Sequence, residues 1–133
     1  RRRGPHRDVE VRLAQRLQAR ILAEPALELL APVTLNIVCF RYRDRTGTLD
    51  AAATDRLNAE LVADLHESGL AVPSTTTLGG RTAIRVALVN HRTEAADLDL
   101  LLDAVLRLGA QRCRLAATQR LPADPVPSFE TAP

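Results

Sequence analysis

The stretch TAIRVALV at residues 82–89 alternates two kinds of side chain, and that alternation decides how the rest of the chain is arranged. Ile84, Val86 and Leu88 fall on one side of an extended strand and suit a core, while Ala83, Arg85, Ala87 and Val89 fall on the other. The second side is small and apolar around a single charge, whereas a solvated face carries more polar side chains. Just upstream, Leu78-Gly79-Gly80 supplies the permissive backbone of a tight reversal. Residues 71–77 then provide a partner strand, and 71–89 reads as a hairpin.

Outward from the hairpin, residues 33–42 (VTLNIVCFRY), bounded by Pro32 and Asp44, read as another strand. Val33, Leu35, Ile37 and Cys39 lie on one of its faces; Thr34, Asn36, Val38, Phe40 and Tyr42 lie on the other, and neither face is purely polar. Between this strand and the hairpin, Ala53, Leu57, Leu61 and Leu65 recur in steps of four with Val62 alongside, which predicts a helix over 48–67. Thr48 is its expected N-cap, Asp50 suits the positive end of its dipole, and Ser68-Gly69 is the expected stop.

Val9, Leu13, Leu17 and Ile21 predict an earlier helix over 9–23, halted by Pro25, with Arg12, Arg16 and Arg20 as a parallel, solvated stripe. A last helix is expected after Thr93 as cap, with Leu98, Leu101, Leu102, Val105 and Leu108 on its apolar side. Gly109 marks a weak boundary, since residues 111–117 can prolong it. Beyond Leu121 the prolines among small residues predict a disordered tail.

The order helix, strand, helix, hairpin, helix packs most simply as an α+β fold: a small, mainly antiparallel sheet with helices packed on one face. The expected organisation is a linking helix over residues 1–24, a small α/β domain over 25–110, and a helix extension with a Pro-rich tail over 111–133. The other face of the sheet, assigned Val38, Phe40, Tyr42, Ala83, Ala87 and Val89, is expected to be a surface made to be covered.

Composition removes several classes of function. The 18 basic residues are all arginine and are balanced by 16 acidic ones, for a formal charge of +2, so no general attraction to nucleic acid or anionic membrane is expected. The aromatic content of 2% leaves no platform for stacking bases, which disfavours an RNA-binding α/β domain. No apolar run reaches the roughly 18 residues of a membrane span, and a cytoplasmic location is the expectation. Cys39 and Cys113 read as reduced, inert thiols rather than a disulfide framework, with Cys39 pointing inward. His6, His66 and His91 lack metal-ligand spacing, so no metal site is expected. Gly79-Gly80 has neither a dinucleotide nor a P-loop fingerprint and reads as a turn.

One resemblance spans residues 9–108. Glu28-Leu29-Leu30-Ala31-Pro32-Val33 followed by Asn36-Ile37-Val38-Cys39-Phe40-Arg41, then Leu57-Asn58, Ser68-Gly69, Gly80-Arg81, Ile84-Arg85-Val86-Ala87 and Asn90-His91-Arg92-Thr93, occur in family order. Together they resemble the carboxy-terminal small domain of the group II pyridoxal-phosphate-dependent amino-acid decarboxylases, the family of the aromatic amino-acid, histidine and glutamate enzymes. The specificity lies in the joint order, since each piece alone is common.

The resemblance implies a fold-type I small domain that covers the active site of a large cofactor-binding domain, in a homodimeric parent enzyme. The cofactor implied is pyridoxal phosphate, which serves as an electron sink when carbon dioxide leaves. Its covalent attachment needs a lysine amine, and this chain has no lysine, so no residue here is assigned as catalytic or cofactor-binding. Arg85 is the one candidate site residue, as a partner for the substrate carboxylate; a structural ion pair or inter-domain contact is its other reading. The competing function is a free-standing α/β interaction or regulatory module without catalysis.

Overall fold

The hairpin expected from the Gly79-Gly80 pair is present, and a four-stranded antiparallel sheet is built around it. A computed structural model describes residues 5–33, 36–68, 73–88 and 94–120. In chain order they form α1 (Pro5–Ala23), β1 (Leu27–Leu29), β2 (Ile37–Tyr42), α2 (Ala51–Ser68), β3 (Ser74–Leu78), β4 (Arg81–Ala87) and α3 (Ala95–Arg120). The strand order across the sheet is β1-β2-β4-β3, with every neighbouring pair antiparallel. Gly79 and Gly80 have φ of 58° and 77°, the pair of left-handed conformations that a two-residue type I′ turn requires.

Three helices lie on one face of the sheet and share one core with it. Val38, Phe40 and Tyr42 of β2 and Ile84 and Val86 of β4 join Leu17 and Ile21 of α1, Leu61 and Leu65 of α2, and Leu101, Leu102 and Val105 of α3. Arginine clamps tie the helices across their exposed flanks. Arg112 of α3 grips Asp64 of α2 through two nitrogens, at 2.7 and 2.9 Å, and reaches Glu60 at 3.0 Å. On α1, Arg16 and Arg20 meet Asp99 of α3 at 3.1 and 3.0 Å, so part of the stripe expected to be solvated is an inter-helix seam.

The structure corrects several local expectations. Val38, Phe40 and Tyr42 do not face the open side of the sheet: Val38 stands opposite Val86 and Phe40 opposite Ile84, and directly opposed residues in an antiparallel pair point the same way. Their burial under the helices is complete or nearly so. It follows that Cys39 is turned away from the helix-side core and lies half-buried on the open side, opposite Arg85. The strand over 33–42 begins only at Ile37, and Val33 is irregular; Thr34 and Leu35 lie outside the described residues.

Helix α2 is capped by Asp50, whose side chain accepts the Ala53 N–H at 2.8 Å; the Thr48 hydroxyl instead donates to Asp44. Helix α3 passes straight through Gly109 to Arg120. At its start the Asp97 carboxylate accepts the Glu94 N–H at 2.8 Å, the reaching-back half of a capping box. Thr93 as cap, Gly69 as stop, Val89, and the tail over 121–133 lie outside the described residues.

Candidate functional site

Arg85 is aimed by its neighbours on the same strand. Because Ile84 and Val86 bury on the helix side, period-two geometry turns Arg85 outward with Ala83 and Ala87, as the alternation in 82–89 predicts. Cys39 stands across from it on β2 and Ser74 on β3. Burial pushes the Cys39 thiol up from its ordinary range, and the positive charge of Arg85 partly offsets this. Among the described residues, no carboxylate lies within ion-pair reach of Arg85.

The other two arginines on this face are engaged. Glu28 of β1 pairs with Arg41 of β2 at 3.5 Å and with Arg81 of β4 at 3.3 Å. Asp55 of α2 reaches the same end of the sheet, 3.7 Å from Arg41 Nη1, and accepts the Thr82 N–H at 3.0 Å. Arg41 is 13% exposed, and its buried Nε is the atom that faces Glu28 Oε1 at 3.5 Å, an ion pair without hydrogen-bond geometry. Sequence reading missed this cluster because Glu28 sits in a three-residue strand between two prolines, and Asp55 on a helix. The available signal was period two in β2, which places Arg41 on the side of Cys39.

Asn58, buried on α2, closes the sheet beside this cluster. The β2–β4 ladder ends at Phe40 and Ile84. Two residues on, Asn58 Oδ1 accepts the Tyr42 N–H at 2.8 Å and Asn58 Nδ2 donates to the Tyr42 carbonyl at 2.9 Å. A further bond from Nδ2 to the Thr54 carbonyl, also 2.9 Å, satisfies the side chain.

The loop between β2 and α2 is organised by Asp44. Its carboxylate accepts the N–H groups of Thr46, Thr48 and Leu49 and both threonine hydroxyls, at 2.6 to 3.1 Å. Burial pushes this carboxyl upward, and the hydrogen bonds outweigh burial and hold it far below the usual range. Burial and then the nearby Asp44 charge push the Cys113 thiol up to about 11, which makes it unreactive near neutrality. A shallow cleft of about 360 Å³ beside this loop is lined by Pro25, Arg43, Asp44 and Arg45.

The remaining candidates carry little chemistry. The His66 ring bonds the Pro73 carbonyl rather than carbonyls of its own helix. No group of three His, Cys, Asp or Glu among the described residues can hold a metal ion, and His91 lies outside them. No described helix is long and apolar enough to cross a membrane. The donor set does not fit covalent attachment of an aldehyde cofactor, because the chain has no lysine.

No protein-family model matches the chain. It is 30% identical over 101 residues to the aromatic-L-amino-acid decarboxylase of Sus scrofa and 31% identical over 94 residues to that of Bacillus atrophaeus. These matches cover 76% and 68% of this chain and 19% of each relative. The fold matches Oryza sativa TDC, solved with pyridoxal phosphate and tryptamine, with a TM-score of 0.71 over 80% of this chain and 23% of that one, at 23% identity. It also matches the glutamate decarboxylase domain of a Vibrio parahaemolyticus diaminobutyrate enzyme, with a TM-score of 0.70 over 81% of this chain and 22% of that one, at 27% identity.

By sequence and fold together, the chain is a relative of the group II pyridoxal-phosphate-dependent decarboxylases. Its sequence relatives are aromatic-amino-acid and tryptophan decarboxylases, and it spans about a fifth of their length.

Proposed function

We propose that the chain works as the carboxy-terminal small domain of an amino-acid decarboxylase, a carboxy-lyase, covering the active site of a large domain that holds pyridoxal phosphate. The supporting observation is the coincidence of two likenesses, sequence and fold, to decarboxylases over the same small share of their length. The cofactor supplies the electron sink for the carbanion left by carbon dioxide. The residues of this chain supply a rigid wall, and Arg85 offers a guanidinium fork on the open side of that wall, where a substrate carboxylate or an acidic group of the large domain can pair with it. The parent enzyme is a cytoplasmic homodimer in this reading, and its substrate is an amino acid, with aromatic ones the first to test.

A chimera tests the reading. This chain replaces the matching fifth of the Bacillus atrophaeus decarboxylase, and carbon dioxide release from carboxyl-labelled aromatic amino acids is measured. Release well above that of the truncated enzyme is expected. A folded, cofactor-loaded chimera with no activity on any amino acid would overturn the reading.

A further inference from the structure

The open face of the sheet has a built centre. Ala83 has no exposed surface, yet it belongs to no part of the helix-side core. Thr76 stands directly opposite it on β3, and continuing the Phe40–Ile84 register by one residue sets Arg41 opposite it on β2. Arg81 and Arg85 lie two residues before and after it on the same face of β4. Ala83 is thus a covered centre, flanked on this face by the strand positions of three arginines and one threonine.

The charges of this ring do not cancel. Glu28 engages Arg41 and Arg81, and Asp55 reaches Arg41 from α2, which leaves one net positive charge over the three arginines. One donor group stands out: the guanidinium of Arg85, with no carboxylate in reach among the described residues, whereas Arg41 Nε already faces Glu28 Oε1 at 3.5 Å.

We propose that this ring is a carboxylate socket, receiving one Asp or Glu side chain from the protein surface that covers the sheet. Identifying that surface with the large domain rests on the function proposed above; the socket itself does not. One net charge matches a monoanion, and the Glu28 carboxylate in the wall disfavours a phosphate dianion. A guanidinium fork binds a carboxylate through two parallel bonds, so specificity comes with the charge. The half-buried Ile37, Ala87 and Leu78 on the same face give a protein partner apolar surface to cover around the socket, which a small free acid cannot use.

The probe is N-acetylglutamate α-amide, which has a single side-chain carboxylate, titrated into the isotopically labelled chain while the arginine Nε–Hε signals are followed by NMR. Saturable shifts of Arg41 and Arg85 are expected, with none from the glutamine analogue. Arg85→Gln should weaken binding about tenfold, the loss of a charge-assisted pair, with an unchanged thermal midpoint. Arg85→Lys and Thr76→Val should weaken it less, and Arg12→Gln on α1 not at all. Absence of shifts, equal response to Arg85→Gln and Arg12→Gln, or tighter binding of inorganic phosphate each overturns the socket. An inactive chimera alongside intact probe binding overturns the decarboxylase reading instead.

Discussion

Asn58 takes the place of a strand for Tyr42: its carboxamide accepts the Tyr42 N–H and donates to the Tyr42 carbonyl where the pairing of β2 with β4 has ended. Both backbone groups are buried there, and a buried polar group without a partner is costly. Asn58→Ala should destabilise the chain by about 3 kcal/mol, one unmet donor and one unmet acceptor together. Asn58→Asp should also destabilise, since a carboxylate cannot donate to the Tyr42 carbonyl. Urea denaturation measures both, and a loss below half the expected size for Asn58→Ala would refute the assignment.

Gly109 is required by the ring of Tyr42. A Cβ at position 109 would stand 2.5 Å from Tyr42 Cε2 and 2.8 Å from Cγ, too close for any real contact. Alanine raises helix propensity by about 1 kcal/mol over glycine, so propensity alone predicts that Gly109→Ala stabilises α3. The clash should reverse the sign, for a net loss of about 1–2 kcal/mol. In a Tyr42→Leu background the same change should become neutral or favourable, a coupling that a double-mutant cycle reads directly.

Thiol chemistry reports where Arg85 points. Both cysteines should alkylate slowly at pH 8, Cys113 more slowly than Cys39, because burial and Asp44 push Cys113 up to about 11 while Arg85 opposes the rise at Cys39. Arg85→Gln should slow the reaction of Cys39 further and leave Cys113 unchanged. Equal rates at Cys39 with and without Arg85 would mean that the two side chains do not face each other.

Acid should weaken the fold through Asp44 and Asp64. Hydrogen bonds from the loop hold the Asp44 carboxyl low against burial, and the side-chain bond from Arg112 holds Asp64 low. Depressed folded-state values mean that their stabilisation is present above the unfolded carboxylate value of about 3.9 and is lost as pH falls below it. The thermal midpoint should therefore be flat from pH 7 to about 5 and fall steeply below about 4. Asp44→Asn should lower the midpoint at pH 7 and reduce its dependence on acid.

Mixed with pyridoxal phosphate and reduced with borohydride, the chain with its terminal amine blocked should retain no covalent cofactor, since arginine forms no such bond under these conditions. Mass spectrometry checks this, and a stoichiometric adduct on a side chain would overturn it.

The helices and the hairpin were legible because their signals are local: steps of four in α1, α2 and α3, and two glycines between alternating strands. The orientation of β2 was not. Its two sides, Ile37 and Cys39 against Val38 and Phe40, are almost equally apolar, so only pairing with β4 decides which is buried. Strand β1 escaped notice because three residues between Pro25 and Pro32 give no period. For the site, the outward aim of Arg85 could be read from β4 alone. The ring around Ala83 could not, since its members come from β2, β3 and β4 and converge only through the register.

The strand order β1-β2-β4-β3 has a consequence for how the chain reaches this state. The outer pair β3–β4 closes over two residues, between Leu78 and Arg81, and can form within microseconds. The central pair joins Val38 to Val86 across the whole of α2, so its loop-closure entropy must be met before its contacts reward it. The hairpin should thus be an early, local product, and β2 should dock last onto a surface that α2 has already begun to form. Asn58, which binds α2 to the end of β2, then acts late, so its replacement should accelerate unfolding far more than it slows folding.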